Sequence, residues 1–216
     1  MRVVSVNASL GRTVNWQGRV IETGIFKKPV EGRIFVGKLN LDGDRQSDLN
    51  VHGGKYKAVY AYALEHYNWW RRKLRQDLPF GAFGENLTIE GFPEEEVCVG
   101  DSIRVGEALL QAVQPRLPCF KLGIRFNDAK MVKHFFESGR WGVYFRVLET
   151  GFVASGDFVS WVDRDPLRFP IPELVRLHLS RNKDPAKLKI ALKLNALPPE
   201  WRENLLEKVT EREKGE

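Results

Sequence analysis

The chain has 216 residues, of which 43% are hydrophobic, and a formal net charge of +6 at pH 7. This length exceeds one typical domain of about 100–150 residues, so we expect one large domain followed by a smaller one. No apolar run approaches the roughly 20 residues that a membrane span needs, and no secretory leader opens the sequence. The two cysteines, Cys98 and Cys119, show no zinc or disulfide spacing, so we expect a cytoplasmic protein with no membrane partner.

Short segments of alternating apolar and polar residues, separated by glycine and proline, occupy most of the chain. Segments of this length and spacing are typical of a mainly antiparallel sheet or barrel, and not of repeated strand–helix–strand units. The pattern predicts strands, or a hairpin in the case of the fifth segment, over residues 1–7, 16–24, 34–41, 58–63, 97–106, 108–113, 141–148 and 154–162. We therefore expect a mainly β fold with peripheral helices.

Two segments among these strands have helical spacing, over residues 64–78 and 128–139. The first contains the run Trp69-Trp70-Arg71-Arg72, which can be interpreted as an aromatic and basic surface for nucleic acid. An amphipathic helix that covers the sheet explains the same residues without a ligand. We favour the amphipathic helix and expect no nucleic-acid partner.

A proline-rich stretch over residues 164–172 indicates a domain boundary. Three short helical patterns follow it, over residues 173–179, 185–194 and 199–209. The last two begin with proline, whose missing amide hydrogen costs little in the first turn of a helix. The sequence therefore predicts a large domain over residues 1–165 and a small three-helix bundle over residues 166–216.

Two turns in the first half of the chain carry basic residues. In His52-Gly53-Gly54 the glycines tolerate positive φ, so successive amides can point into one concavity that binds an anion, with Lys57 nearby. In the second turn, Lys27 and Lys28 precede a proline. Both turns are candidate phosphate sites, but each, taken alone, is better explained as a solvated turn without a ligand.

The segment over residues 80–89 places two glycines before Glu85 and Asn86. The glycines permit close backbone approach, and the Asn86 amide offers a donor and an acceptor to the edge of a ligand. Glu85 is a candidate general acid or base. A backbone-capping role explains either residue equally well.

The strongest chemical signal is the segment Gln114-Pro115-Arg116-Leu117-Pro118-Cys119, which follows an apolar strand pattern. Proline has no amide hydrogen to donate, so the strand ends here and Cys119 is displayed on a stiff loop. A cation three residues before the sulfur favours the thiolate, the form that attacks electrophiles and binds soft metals. The alternative is that Cys119 is a small buried hydrophobic residue in a proline turn.

Five segments in this order resemble the MOSC family, which is named for the C-terminal domain of molybdenum cofactor sulfurase. They are Phe26-Lys27-Lys28-Pro29-Val30, Gly43-Asp44-Arg45-Gln46, Val51-His52-Gly53-Gly54, Phe83-Gly84-Glu85-Asn86-Leu87 and Gln114-Pro115-Arg116-Leu117-Pro118-Cys119. The resemblance covers nearly the whole chain and is closest to the YiiM-like members, in which a small three-helix domain follows the MOSC domain. No single segment is diagnostic, but five in the right order are specific.

The resemblance implies a MOSC-type β-barrel that binds the molybdenum cofactor, a pterin (molybdopterin) that carries a phosphate and holds molybdenum through a dithiolene. It also implies that Cys119 is the catalytic metal ligand. The remaining candidate cofactor-binding residues are Lys27, His52, Gly53, Gly54, Lys57, Asn86 and Arg116. Arg116 can serve either the cofactor phosphate or the Cys119 thiolate, and the sequence does not decide between them.

The implied activity is reduction of small N-hydroxylated molecules, in particular hydroxylamino-purine base analogues. The electrons would come from a separate electron-transfer reductase, because the sequence has no flavin or nicotinamide fingerprint and two cysteines cannot hold an iron–sulfur cluster. Two other classes compete with this interpretation: a non-catalytic carrier of the cofactor or of sulfur on Cys119, and a basic nucleic-acid-binding barrel. The oligomeric state is not predicted.

Overall fold

The computed structural model describes residues 1–46, 53–180 and 184–213. The strands of these residues are, in chain order, β1 (Arg2–Ala8), β2 (Arg12–Trp16), β3 (Arg19–Thr23), β4 (Lys28–Pro29), β5 (Ile34–Val36), β6 (Val59–Ala63), β7 (Leu87–Glu90), β8 (Ser102–Val105), β9 (Ala108–Pro115), β10 (Val143–Glu149), β11 (Gly151–Val153) and β12 (Val159–Asp163). The α-helices are α1 (Leu64–Leu74), α2 (Phe120–Phe126), α3 (Met131–Glu137), α4 (Ile171–Leu179), α5 (Pro185–Ala191) and α6 (Pro199–Glu213).

Eight strands form one large sheet in the order β12-β8-β9-β10-β6-β7-β1-β4. Its pairings are antiparallel except for β6 with β7, which are parallel. The prediction of a mainly antiparallel sheet is therefore confirmed. Two smaller two-stranded sheets pair β11 with β5 and β2 with β3.

The sheet is not closed into a barrel, so the expected barrel is corrected to a large open sheet in a mixed α and β fold. Arg2 in β1, the strand next to one end of the sheet, forms an isolated antiparallel bridge with Phe158, which precedes β12 at the other end. Val159 N donates to Met1 O and Val3 N donates to Asp157 O, both at 2.9 Å, and these bonds form the bridge. Beyond it, Gly156 N donates to Val3 O at 2.8 Å, so the pairing becomes irregular at the turn before β12.

The predicted strand over residues 16–24 is the second half of a hairpin, β2–β3, which pairs only with itself. The turn residues Gln17 and Gly18 both have positive φ, at 49° and 75°, as a tight two-residue hairpin requires. We call this hairpin the β2–β3 ribbon. At its base, Thr23 leads into the segment that reaches the candidate site.

Helix α1 confirms the amphipathic interpretation of its sequence. Tyr67 and Trp70 on its inner face are fully buried, in an aromatic cluster with Tyr62, Phe83 and Phe135. These rings therefore serve the core and are not displayed for base stacking. No helix within the described residues is long and apolar enough to span a membrane.

The three C-terminal helices exist, but they pack on the sheet. Residues of α4 and α6, including Leu174 and Trp201, belong to the same buried cluster as the sheet residues Val113 and Phe145. The indole of Trp201 also donates a hydrogen bond to Gln114 Oε1 in β9. A separate three-helix bundle is therefore not confirmed, and the division at residues 165 and 166 stays a prediction.

Candidate functional site

A cleft opens beside β6, β9 and β10. It is lined by Thr23, Gly24, Ile25, Lys27, Asp44, Arg45, Gln46, Lys57, Tyr60, Gly84, Asn86, Arg116, Leu117, Cys119, Lys121 and Tyr144. The structure thus brings together the predicted residues Lys27, Lys57, Asn86, Arg116 and Cys119. The predicted Gly53 and Gly54 do not line the cleft, and His52 lies outside the described residues.

Arg116 lies at the point where β9 ends. Its side chain is buried, and the guanidinium carbon lies 5.0 Å from the ring centroid of Phe135 and 5.6 Å from that of Tyr60. The Nη1 atom is buried and has no hydrogen-bond partner in the described part of the chain. Burial alone would lower the pKa of Arg116, but Tyr60, Tyr144 and Cys119 outweigh it and raise the pKa, so the cation persists. The cleft therefore contains a buried cation with unused donor capacity.

Cys119 is half-buried and immediately precedes α2. Its backbone is extended, with φ −125°, and its carbonyl accepts the first hydrogen bond of the helix from Leu122 N at 2.9 Å. The sequence predicted a loop here and missed α2. The thiol nevertheless lines the cleft, near the Arg116 guanidinium and the first-turn amides, an environment in which cysteines act as nucleophiles or metal ligands.

Lys27 is buried and forms an ion pair with the buried carboxylate of Asp44. Burial lowers the pKa of Lys27, and the neighbouring Asp44 opposes that shift. Asp44 also accepts hydrogen bonds from Ser9 N and from Asn86 Nδ2, both at 2.9 Å. The charge of Lys27 is therefore balanced within the cleft wall, a pairing that the sequence analysis missed.

Asn86 uses its amide for contacts within the chain. Its Oδ1 accepts from Tyr60 N at 3.1 Å, while Nδ2 donates to Asp44 and to Asn7 O, the latter at 3.3 Å. These bonds hold Asp44 and the start of β6 against the loop before β7. The predicted contact of Asn86 with a ligand stays a prediction, but the structure gives the residue a positioning role.

The cleft also contains Lys121 and Arg45, two cations that the sequence analysis did not select, as well as Lys57, which it did. Lys121 is buried and lies two residues after Cys119 on α2. Arg45 is exposed and lies 3.8 Å from Glu22, whereas Lys57 lies 3.4 Å from Glu200 of α6. With Lys27 and Arg116, these side chains make five basic groups among the described residues that line the cleft, and Asp44 is the carboxylate in that lining. The arrangement favours an anionic ligand.

Glu85 does not line the cleft. It is completely buried, and its carboxylate accepts hydrogen bonds from Gly81 N at 2.8 Å and Phe83 N at 3.1 Å, as well as from the hydroxyl groups of Tyr67 and Thr88. Burial raises the pKa of Glu85 despite these donors. The carboxylate thus stabilises the turn between α1 and β7. This arrangement agrees with the backbone-capping interpretation of Glu85 and not with its interpretation as a general acid or base.

No group of three or more His, Cys, Asp or Glu side chains suited to a metal ion occurs among the residues that the structure describes. A soft metal at this cleft would therefore take one thiolate from the protein and its other ligands from a bound cofactor. The unpaired Arg116 donor and the surplus of basic groups suit a cofactor that also carries a phosphate. The donor set thus fits a phosphate-bearing molybdenum cofactor.

The profile of the MOSC domain matches residues 48–160, which is more than half of the chain. The chain belongs to the MOSC domain family. It is 38% identical over 206 residues to the uncharacterized protein YflK of Bacillus subtilis, covering 95% of this chain and 93% of YflK. The crystal structure of YiiM from Geobacillus stearothermophilus superposes with a TM-score of 0.80 at 31% identity, covering 96% of this chain and 98% of YiiM.

A further relative is a protein of Gibberella moniliformis named Reductase. It is 35% identical over 169 residues, which are 76% of this chain but only 30% of that protein. The MOSC chain therefore corresponds to a minor part of a larger polypeptide in this relative. Membership in the family associates the chain with the molybdenum cofactor, and the relative's name points to redox chemistry.

Proposed function

We propose that this protein is a molybdenum-cofactor-dependent reductase of N-hydroxylated compounds, with hydroxylamino-purine base analogues as its substrate class. The observation that carries the proposal is the placement on one basic cleft of Cys119 and the buried Arg116, whose Nη1 has no hydrogen-bond partner among the described residues. The relative named Reductase supports a redox role. The proposal includes a cytoplasmic location and a small-molecule substrate.

The residues of the cleft would have different roles in binding the cofactor. Cys119 would ligate molybdenum through its thiolate, and Arg116 and Lys121 would bind the cofactor phosphate. Lys27, Asp44 and Asn86 would keep the wall of the cleft rigid. When bound, the cofactor supplies two-electron redox chemistry.

The overall reaction converts R–NHOH, two protons and two electrons into R–NH₂ and water. The electrons would come from a separate electron-transfer reductase, since the sequence carries no flavin or nicotinamide motif of its own. A chemical reductant can replace that partner in an assay. The test therefore does not require the natural electron donor.

The experiment measures molybdenum and pterin in protein purified from a host that makes the cofactor, and then assays reduction of 6-hydroxylaminopurine with reduced methyl viologen. Wild type should contain both and reduce the substrate, whereas Cys119→Ala should fold but lose molybdenum ligation and activity. Cys98→Ala is the matched control, because Cys98 is buried and does not line the cleft. Full activity of Cys119→Ala would refute the assignment of the ligand.

Cofactor-loaded wild type that never reduces an N–OH group would instead support a carrier of the cofactor or of sulfur. Protein that takes up no cofactor, even after reconstitution, would contradict both the proposed reductase and the alternative of a carrier. The three outcomes are separable, because cofactor content and turnover are measured on the same sample.

A further inference from the structure

Two arginines beside the cleft contact the same phenylalanine ring. The guanidinium carbon of Arg12 lies 3.5 Å from the ring centroid of Phe26, and that of Arg125 lies 5.5 Å from it. We call Arg12 and Arg125 the Phe26 arginine pair. Cation–π contact explains how the ring holds each cation, but it does not balance two like charges.

The pair has no carboxylate partner within ion-pair distance among the described residues. Nε of Arg125 is also buried without a hydrogen-bond partner there. Burial lowers the pKa of Arg125, an effect that Tyr67 and Glu85 oppose and Arg12 increases. Glu85 affects Arg125 only by electrostatic interaction at a distance, since its carboxylate oxygens already accept hydrogen bonds from Gly81 N and Phe83 N. An added anion would relieve this unbalanced charge.

Each residue of the arrangement lies on an element that also lines the cleft. Arg12 pairs across the β2–β3 ribbon with Thr23, and Phe26 lies between Ile25 and Lys27. Thr23, Ile25 and Lys27 are all cleft residues. Arg12, Phe26 and Arg125 do not line the cleft themselves, but Arg12 and Phe26 neighbour cleft residues across the ribbon or along the chain.

Arg125 lies near the C-terminal end of α2, six residues after Cys119, so the two backbones are about 9 Å apart along the helix axis at 1.5 Å per residue. A ligand held near Cys119 would have to extend by at least about this length to reach Arg125. The guanidinium groups match the geometry of phosphate, which each can bind through two parallel hydrogen bonds.

We propose that Arg12 and Arg125 bind the phosphate of a phosphorylated substrate, so that nucleotides are preferred over free bases and nucleosides. The reductive chemistry of that substrate rests on the proposed function, whereas the phosphate site does not. An acidic surface on an electron-transfer protein is the competing partner. The half-buried position of Arg125 favours a small ligand, because a flat protein surface reaches an exposed guanidinium better than a half-buried one.

The test compares binding of AMP and adenosine by calorimetry to protein purified from a host that makes the cofactor. Wild type should bind AMP about tenfold more tightly, as one charge-assisted contact of roughly 1.5 kcal/mol or more predicts. Arg12→Gln and Arg125→Gln should each remove most of this advantage. Arg125→Lys should restore part of it, which a purely structural role of the side chain would not predict.

Two controls fix the location of the phosphate. Arg19→Gln changes an exposed arginine of the same ribbon and should keep the preference for AMP. Lys121→Gln changes a basic residue of the cleft and tests whether the phosphate binds there instead. Loss of the preference in Lys121→Gln with retention in Arg125→Gln would place the phosphate in the cleft and overturn the proposal.

The proposal is also overturned if wild type binds AMP and adenosine equally, which includes no detectable binding of either. It is overturned if the two arginine variants lose salt-sensitive binding of an acidic electron-transfer protein while AMP binding is unchanged. A failed reductase assay alongside an intact AMP preference would remove the proposed reaction and leave the phosphate site standing.

Discussion

The ammonium group of Lys27 is paired with the carboxylate of Asp44 inside the wall of the cleft, where both residues are buried. Two charges removed from water are tolerable only when each has its partner. Asp44 also orients Asn86, so the pair connects three segments that are distant in sequence. The wall of the cleft therefore depends on this pair.

We predict that Asp44→Asn destabilises the protein by about 3–5 kcal/mol, because it leaves the Lys27 cation buried and uncompensated. Lys27→Met combined with Asp44→Asn should be considerably milder, since neither partner is then charged. Urea unfolding of the two single variants and the double variant measures the coupling. A loss for Asp44→Asn of only about 0–1 kcal/mol, as for an exposed pair, would show that the charges are not held as described.

The sequence analysis placed Arg116 and Cys119 together but missed how the charges of the cleft are paired. Arg116 and Cys119 lie in one short segment with two prolines, so their proximity follows from local geometry. The pairing of Lys27 with Asp44 depends on the tertiary fold that brings two separate loops together, and single-residue patterns do not contain that information. Lys121 was missed for a related reason, since Gly123 weakens the helical pattern that would have placed it beside Cys119.

The pattern of apolar residues also could not predict that the sheet stays open. Alternation of apolar residues predicts strands such as β1 and β12, and both exist. How far β1 and β12 pair depends on the tertiary fold, which brings them together at the isolated bridge between Arg2 and Phe158 and does not extend that bridge into a ladder. The β2–β3 ribbon shows the same limit, because its turn at Gln17 and Gly18 lacks the usual asparagine or aspartate.

The raised pKa of Glu85 makes the stability of the folded protein depend on pH. Burial raises its pKa in the folded protein above the ordinary value of 4.5, so protonation favours the fold relative to the unfolded chain. The contribution of this group is fully present at low pH and is lost as pH rises through the folded-state pKa. We therefore predict that wild type loses stability relative to Glu85→Gln as pH rises.

Urea unfolding of wild type and Glu85→Gln near pH 4.5 and near pH 7 measures this difference. Glu31→Gln, which makes the same change at an exposed glutamate, controls for general effects of removing a charge. If the advantage of wild type over Glu85→Gln instead grew with pH, the carboxylate would be stabilised by its four donors more than it is penalised by burial.

Arg116 lies close enough to Cys119 to influence the sulfur, and its Nη1 has no partner among the described residues. If the guanidinium stabilises the thiolate, Arg116→Met should slow alkylation of Cys119 by iodoacetamide at neutral pH by about an order of magnitude. Arg116→Lys should keep much of the rate, because it keeps a cation. All three proteins carry Cys98→Ala, so that only Cys119 reacts, and they are measured without cofactor. Equal rates for Arg116→Met and its parent would assign Arg116 to the cofactor phosphate alone, and cofactor retention in the same variants would then be the quantity that falls.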